Sequence, residues 1–363
     1  MTLPTTPASL EMIAAQTPLI DVRAPVEFAQ GSLPGAVNLP LMVDEERHQV
    51  GIAYKQRGQQ AAIALGEQLV SGNVKQARVA AWQRYLAQYP DAIIYCFRGG
   101  LRSQIAQQWL ADAGLHRPRI EGGWKALRQR LCQRIDDAAR QPMLVVAGLT
   151  GCAKTQLISQ LPNGIDLEAC ANHKGSAFGR QPDDPTTQID FEHALGQRLI
   201  GQMGKLVLED ESRQIGHANI PLDFWHALQR APRIRIEMPL DWRLDQLRRD
   251  YIEALEQGYA DRFGPQEGWQ RMQRQLANAL DRLAKRLGNA RLQRLQRLQA
   301  MAFQAHAAGN IQAHEAWLAP LLTEYYDPLY RYHLEKKRGS SPVELHVGDW
   351  ESCLEAAKQW GVA

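Results

Sequence analysis

The stretch Gly148-Leu149-Thr150-Gly151-Cys152-Ala153-Lys154-Thr155 constrains this chain more than any other. It follows the apolar run Met143-Leu144-Val145-Val146-Ala147, and a helical pattern begins at Lys154. Strand, glycine-containing turn and helix in that order form the frame of a phosphate-binding loop, where backbone N–H groups converge on an anion. The spacing matches GxxxxGK[ST], except that Ala153 replaces the second fixed glycine. Gly148, Thr150, Gly151, Lys154 and Thr155 are therefore the diphosphate-binding candidates. Backbone amides cradle two adjacent phosphates, Lys154 neutralises them, and Thr155 is placed to hold Mg²⁺. If position 153 requires positive φ, Ala153 costs about 1 kcal/mol relative to glycine and loosens the loop.

Such a loop needs a parallel sheet behind it, and the flanking pattern supplies one. Lys205-Leu206-Val207-Leu208 reads as a strand that runs into Glu209-Asp210-Glu211-Ser212, as a Walker B strand ends in carboxylates. Glu209 or Asp210 is the candidate Mg²⁺ or water-organising group; spacing leaves open which one. Residues 234–238 read as a further strand, with an Asp/Pro/Gly-rich loop at 179–185. From Asp241 to about His306 the period is helical, with breaks expected near Gly258, Gly264-Pro265 and Gly288-Asn289. Upstream, residues 18–140 alternate short apolar strands (Leu19 to Val22, Ala92 to Cys96) with helical segments, two of them within 59–89 and broken near Ser71-Gly72-Asn73. The expected class is α/β. Residues 1–138 form one parallel-sheet domain, 139–240 a P-loop NTPase-like core, and 241–363 a mainly helical basic region.

Cys96 ends one of those upstream strands and is followed by Phe97-Arg98-Gly99-Gly100-Leu101-Arg102-Ser103 and a helical stretch. A strand, a glycine loop and a helix N-terminus again aim N–H groups at one point. Arg98 and Arg102 add positive charge, so Cys96 is expected as a thiolate, with Gly99, Gly100 and Ser103 completing an anion loop. Cys96, Arg98 and Arg102 are the catalytic candidates. The other cysteines (Cys132, Cys152, Cys170 and Cys353) are scattered without a CxxC pair, which excludes a disulfide framework and a structural zinc site.

The segment Leu19-Ile20-Asp21-Val22-Arg23-Ala24-Pro25-Val26-Glu27-Phe28, continued by Gly31-Ser32-Leu33-Pro34-Gly35-Ala36-Val37-Asn38-Leu39-Pro40, resembles the opening signature of the rhodanese family. Sulfurtransferases of that family usually carry Cys-x4-Arg; here Cys96 and Arg102 make Cys-x5-Arg. Phosphatases of related fold share the longer loop and hold a larger tetrahedral anion, so the resemblance points to a phosphorylated chalcogen donor more than to simple sulfane transfer.

Charge sets the remaining expectation. Lys plus Arg number 42 against 39 acids, too small an excess to mark a nucleic-acid-binding chain as a whole. Residues 269–299, however, hold eight basic residues (Arg271, Arg274, Arg282, Lys285, Arg286, Arg291, Arg294 and Arg297) and the single acid Asp281. Leu276, Leu280, Leu283, Leu287, Leu292, Leu295 and Leu298 share a helical face that packs, leaving the basic side chains for RNA phosphates or for solvent. Arg282, Lys285, Arg286 and Arg294 are the candidate RNA contacts. Tyr325-Tyr326-Asp327-Pro328-Leu329-Tyr330-Arg331-Tyr332, before Lys336-Lys337-Arg338, either stacks on unpaired bases or anchors a terminal helix. No run approaches the roughly 20 apolar residues of a membrane span, and no basic, then apolar, leader pattern opens the sequence. A cytoplasmic location without membrane contact is expected.

Taken together, the cysteine loop, the P-loop, Glu209-Asp210-Glu211-Ser212-Arg213-Gln214-Ile215-Gly216 and the stretch from Pro40-Leu41-Met42 to Val50-Gly51-Ile52-Ala53-Tyr54-Lys55 resemble the tRNA 2-selenouridine synthase family over nearly the whole chain. The resemblance implies a transferase acting on wobble-position 2-thiouridine in tRNAs for Lys, Glu and Gln. It implies S-geranylation by geranyl diphosphate, then replacement of the S-geranyl group by selenium from selenophosphate, which a separate synthetase supplies. Diphosphate release would then use the P-loop, and selenium delivery the Cys96 loop, as carrier or as anion binder. No tightly bound cofactor is implied; Mg²⁺ at Thr155 follows from the loop pattern alone. Two other readings fit the same motifs: an ATP-dependent tRNA sulfurtransferase or kinase, and an RNA-binding regulator whose rhodanese domain is inert.

Overall fold

The computed structural model describes residues 3–336 and 343–362, and Lys337 and Arg338 of the basic run lie outside them. The chain divides into two compact units, Met1–Ile135 with Thr187–Ile200, and Asp136–Thr186 with Gly201–Ala363.

The first unit is built on a parallel sheet. Strands β1 (Thr5–Thr6), β2 (Leu19–Asp21), β3 (Ala36–Asn38), β4 (Ile93–Tyr95) and β5 (Arg119–Ile120) lie in the order β1-β5-β4-β2-β3. β2 and β4 are the central pair and are buried along their whole length, so their apolar runs show no alternation. Between β3 and β4 the chain makes two long helices, Asp44–Leu69 and Gly72–Gln88; the break near Ser71 falls where expected, but the first helix starts at Asp44, ahead of the expected range, and is interrupted at Gly58. The helix Gln188–Leu199 also belongs to this unit, although in sequence it falls within the expected P-loop core. Its Gly196 is why it packs so closely: a Cβ there would stand 3.0 Å from the Leu131 side chain.

The second unit has its own parallel sheet, with β6 (Met143–Gly148), β7 (Gly164–Ile165), β8 (Leu206–Glu209), β11 (Arg233–Ile236) and β12 (Glu344–Gly348) in the order β12-β11-β6-β8-β7. A small hairpin of β9 (Gln214–Ile215) and β10 (Ala218–Asn219) stands apart. Every residue of β6 is buried, as a central strand covered on both faces requires. The C-terminal region is mainly helical, yet it returns β12 and the helix Trp350–Val362 to this sheet, which helical periodicity alone does not suggest. The expected break at Gly258 is absent: this glycine lies inside the helix Ala254–Phe263, where a Cβ would come within 3.1 Å of Pro182. Close packing selects glycine there. The breaks at Gly264 and Gly288 do occur, both at positive φ. The leucine face packs as expected: Leu276, Leu280, Leu283, Leu287 and Leu295 are buried in one core with Trp317 and Tyr325, and Leu292 and Leu298 are packed against it.

Candidate functional site

In the first unit, the β4 strand delivers Cys96 into a loop that ends where the helix Leu101–Asp112 begins. The thiol is buried and lies 3.2 Å from the Ser103 hydroxyl, which itself donates to the Gly100 carbonyl at 3.0 Å. Gly99 has φ +64°, and a Cβ on it would meet the Ile120 carbonyl at 2.6 Å, so the turn admits no side chain. Gly100 precedes the helix with open space around it.

The two arginines do not act as a simple pair over the thiol. Arg98 is exposed, its guanidinium carbon 5.8 Å from the Phe97 ring centroid. Arg102 grips both carboxylate oxygens of Glu27, at 2.5 and 3.1 Å, so its charge is largely taken up. Burial lowers the affinity of Arg102 for its proton, but Glu27 outweighs burial and raises it. Burial likewise raises Glu27, and Arg102 more than reverses this, holding the carboxyl below its ordinary range. Glu27 also accepts from Arg47 at 3.0 Å and from the Ala24 amide at 3.2 Å. A charge count along the loop overlooks this carboxylate because it enters from 75 residues away.

In the second unit, the phosphate loop leaves the C-terminal end of β6, between β11 and β8, the usual place for ligands on an open parallel sheet. Gly148 and Gly151 have positive φ, and a Cβ on either would strike backbone oxygen at 2.8 Å, from Ile236 and Arg243 respectively. Ala153 does sit in the left-handed region, at φ 56° and ψ 41°, so the strain anticipated for it is present. Lys154 folds back to donate to the Gly148 carbonyl at 3.2 Å.

Three carboxylates face this lysine. Glu168, Glu209 and Glu211 offer oxygens that all lie within 4.8 Å of one another. Burial pushes Glu168 up to about 7 against the pull of Lys154 and Lys174; burial and then repulsion from Glu168 push Glu211 up to about 8; and burial, then repulsion from Glu168 and Glu211, raises Glu209 well above the ordinary carboxylate range. Thr155 donates to Glu168 at 3.3 Å. Of the two Walker B candidates, Glu209 joins the cluster. Asp210 lines the same cavity but is committed to the buried Arg233, at 3.2 Å. Alternation along the strand end could have suggested Glu211, whereas nothing local marks Glu168.

The tyrosine-rich segment is part of this site. Tyr326 and Tyr330 line the cavity, and Asp327 pairs with the buried Arg243 at 2.8 Å. Tyr251 and Tyr326 come from two π-helical turns, Arg249–Glu253 and Leu322–Tyr326. The cavity holds about 320 Å³. Through Thr150, Ser176, Leu247, Tyr251 and Tyr326 it shares its wall with an apolar crevice of about 20 Å³ lined by Phe178, Trp317, Leu318, Leu321 and Leu322.

The basic candidates are less uniform. Arg286 donates to the Tyr325 hydroxyl at 3.2 Å and Arg294 binds Glu324 at 2.5 Å. Arg282 donates to the Ala177 carbonyl at 2.9 Å, and Lys285 is exposed. Among the described residues, no helix is long and apolar enough to cross a membrane.

A cysteine loop on one parallel sheet and a phosphate-type loop on another mark an α/β protein with two separate candidate sites. Residues 6–130 match the model of the rhodanese-like domain, and residues 141–362 match that of the tRNA 2-selenouridine synthase AAA domain. The chain is 63% identical to a tRNA 2-selenouridine synthase of Chromohalobacter salexigens, with 97% of each chain covered. It is 49% identical to one from Serratia proteamaculans (88% of this chain and 87% of the relative) and 44% identical to one from Marinobacter nauticus (93% of each). The chain belongs to the tRNA 2-selenouridine synthase family.

Proposed function

We propose that this enzyme converts 2-thiouridine at the wobble position of tRNAs for Lys, Glu and Gln into 2-selenouridine, in two steps carried by its two loops. In the first, the thiocarbonyl sulfur attacks the allylic carbon of geranyl diphosphate, the C–O bond breaks, diphosphate leaves with the electron pair, and the N3 proton passes to solvent. The amides of the loop and Lys154 stabilise the departing charge. In the second, the selenium of selenophosphate attacks C2, the C2–S bond breaks, and geranylthiolate leaves. Water then cleaves the P–Se bond, giving phosphate and the selenouridine. The Cys96 loop receives the selenophosphate anion in this reading.

The observation that supports the first step is that the phosphate cavity and the crevice of Trp317, Leu318, Leu321 and Leu322 are neighbours, sharing Thr150, Ser176, Leu247, Tyr251 and Tyr326 as lining. A polar head beside an apolar cleft suits a prenyl diphosphate. The leucines must part to admit ten carbons, because the crevice holds about 20 Å³.

A divalent cation fits the acidic cluster. Both carboxylate oxygens of Glu209 are buried without a hydrogen-bond partner, and three clustered carboxylates form the hard oxygen set that Mg²⁺ takes. Glu168, Glu209 and Glu211 would hold it, with Thr155 beside them. Such an ion would screen the negative charge of the diphosphate. Lys154 would then swing from the Gly148 carbonyl toward the leaving group.

Mass spectrometry of tRNA nucleosides tests the reading. Lys154→Ala is expected to lower geranylation at least about 100-fold, and Cys96→Ser to lower conversion of S-geranyl tRNA by selenophosphate. In thermal unfolding, geranyl diphosphate is expected to protect the protein and ATP is not, since only a ligand that binds the native state raises the midpoint. Unchanged geranylation by Lys154→Ala, or protection by ATP alone, would remove it.

A further inference from the structure

The first unit contains a second apolar cavity that neither loop motif accounts for. It holds about 380 Å³, within the roughly 300–1,000 Å³ range of small-ligand pockets. One wall is the helix that starts at the cysteine loop: Leu101, Ile105 and Trp109 fall at four-residue spacing on one face of it. The facing wall is the helix Asp44–Leu69, broken at Gly58, whose φ of 81° and ψ of −175° interrupt the helical path. Val50 and Tyr54 before that break and Ile63 and Gly66 after it all border the same hollow. The mouth lies by the chemistry, because Arg102 lines the cavity and the next residue, Ser103, holds the Cys96 thiol. Leu101 at this mouth is 47% exposed and Tyr54 is 59% exposed, so apolar surface stands open to solvent.

We infer that this cavity binds the geranyl chain of the S-geranyl-2-thiouridine during selenium transfer, a proposal that rests on the two-step reading above. The group expelled at the Cys96 loop carries ten carbons and no charge beyond its sulfur. Leaving that chain in water forfeits the burial free energy that would hold the substrate at this loop. The lining matches such a tail: it is largely aliphatic and aromatic, and the Arg102 guanidinium at its edge is already taken by Glu27. The cavity therefore accepts the thioether tail and gives the departing geranylthiolate an apolar place to go, while C2 stays at the loop where selenium arrives.

The full-length enzyme, selenophosphate and a 2-thiouridine anticodon stem-loop RNA carrying S-methyl, S-prenyl (five-carbon) or S-geranyl groups test this. Wild type is expected to show kcat/KM rising with chain length. Gly66 borders the cavity, and a Cβ there would meet only Val50, at 3.7 Å, so Gly66→Phe points a ring into the hollow without striking backbone. It is expected to lower kcat/KM for the S-geranyl RNA at least tenfold and for the S-methyl RNA by less than threefold, flattening the gradient. Tyr54→Glu, on the facing helix and 59% exposed, gives a second variant that leaves both the core and the cysteine loop intact and is expected to flatten it as well. A wild-type gradient in both variants would overturn the proposal, and so would an equal loss for all three RNAs, which would mean that the cavity serves the RNA or a protein partner. Absence of selenouridine from S-geranyl RNA with the wild-type enzyme would instead overturn the two-step reading itself.

Discussion

The hydroxyl of Tyr330 accepts a hydrogen bond at 3.0 Å from the backbone N–H of Gly148, the first residue of the phosphate loop, across 182 positions of sequence. That contact leaves the tyrosine's own O–H free to donate into the cavity it lines. Burial, then the carboxylate of Asp210, pushes this phenol up to about 12, so it remains a donor at any physiological pH. Tyr330→Phe deletes the donor and strands the Gly148 amide. A loss of about 1 kcal/mol, roughly fivefold in affinity, is expected for inorganic pyrophosphate by titration calorimetry. Unaltered affinity would mean that Tyr330 only braces the loop.

Ala153 gives a stability test of the same loop. An L-residue in the left-handed region is strained by about 1–2 kcal/mol, and the greater freedom of glycine in the unfolded chain offsets part of what Ala153→Gly would recover. The net expected gain is about 0.5 kcal/mol, read as a higher urea midpoint. Ala153→Val, β-branched at the same φ of 56°, is expected to lose at least about 1 kcal/mol. The Trp350 indole, which donates to the Ala153 carbonyl at 3.1 Å, helps fix this conformation. A valine variant as stable as the parent would contradict the strain.

What the sequence discloses and what it hides follow one physical line. The phosphate loop, the cysteine loop and the central strands were legible because strand, turn and helix follow one another within a dozen residues. Glu27, Glu168 and Tyr251 were not, and Tyr326 and Tyr330 suggested base stacking or helix anchoring rather than a place in the phosphate cavity, because tertiary folding brings all five to the loops from distant segments. Arg102 shows the cost of counting charge along a line: its nearest carboxylate comes from another helix. The helix Gln188–Leu199 carries an apolar face that would look the same whichever unit it packed on, so its membership of the first unit is a property of the fold alone.

That helix also carries a pH dependence. His193 is buried, with Nδ1–H donating to the Ser32 carbonyl at 2.5 Å and Nε2 at 3.4 Å from an Arg128 nitrogen, an arrangement that suits the neutral ring. Burial, aided by the Arg128 charge and opposed by Ser32, pulls its pKa down to about 4 from an ordinary 6.5. The unfolded chain therefore binds a proton that the folded chain refuses between those values. The stabilisation is complete above pH 6.5 and is lost as the pH falls toward 4, about 3 kcal/mol in all. His314, pulled down to about 4 by burial and by His306, adds a loss of the same sign in the second unit. Urea unfolding of His193→Gln is expected to show a stability slope smaller than that of the parent by up to about 1.4 kcal/mol per pH unit between pH 6.5 and 4. Identical slopes in variant and parent would show that His193 takes up its proton without opposing the fold.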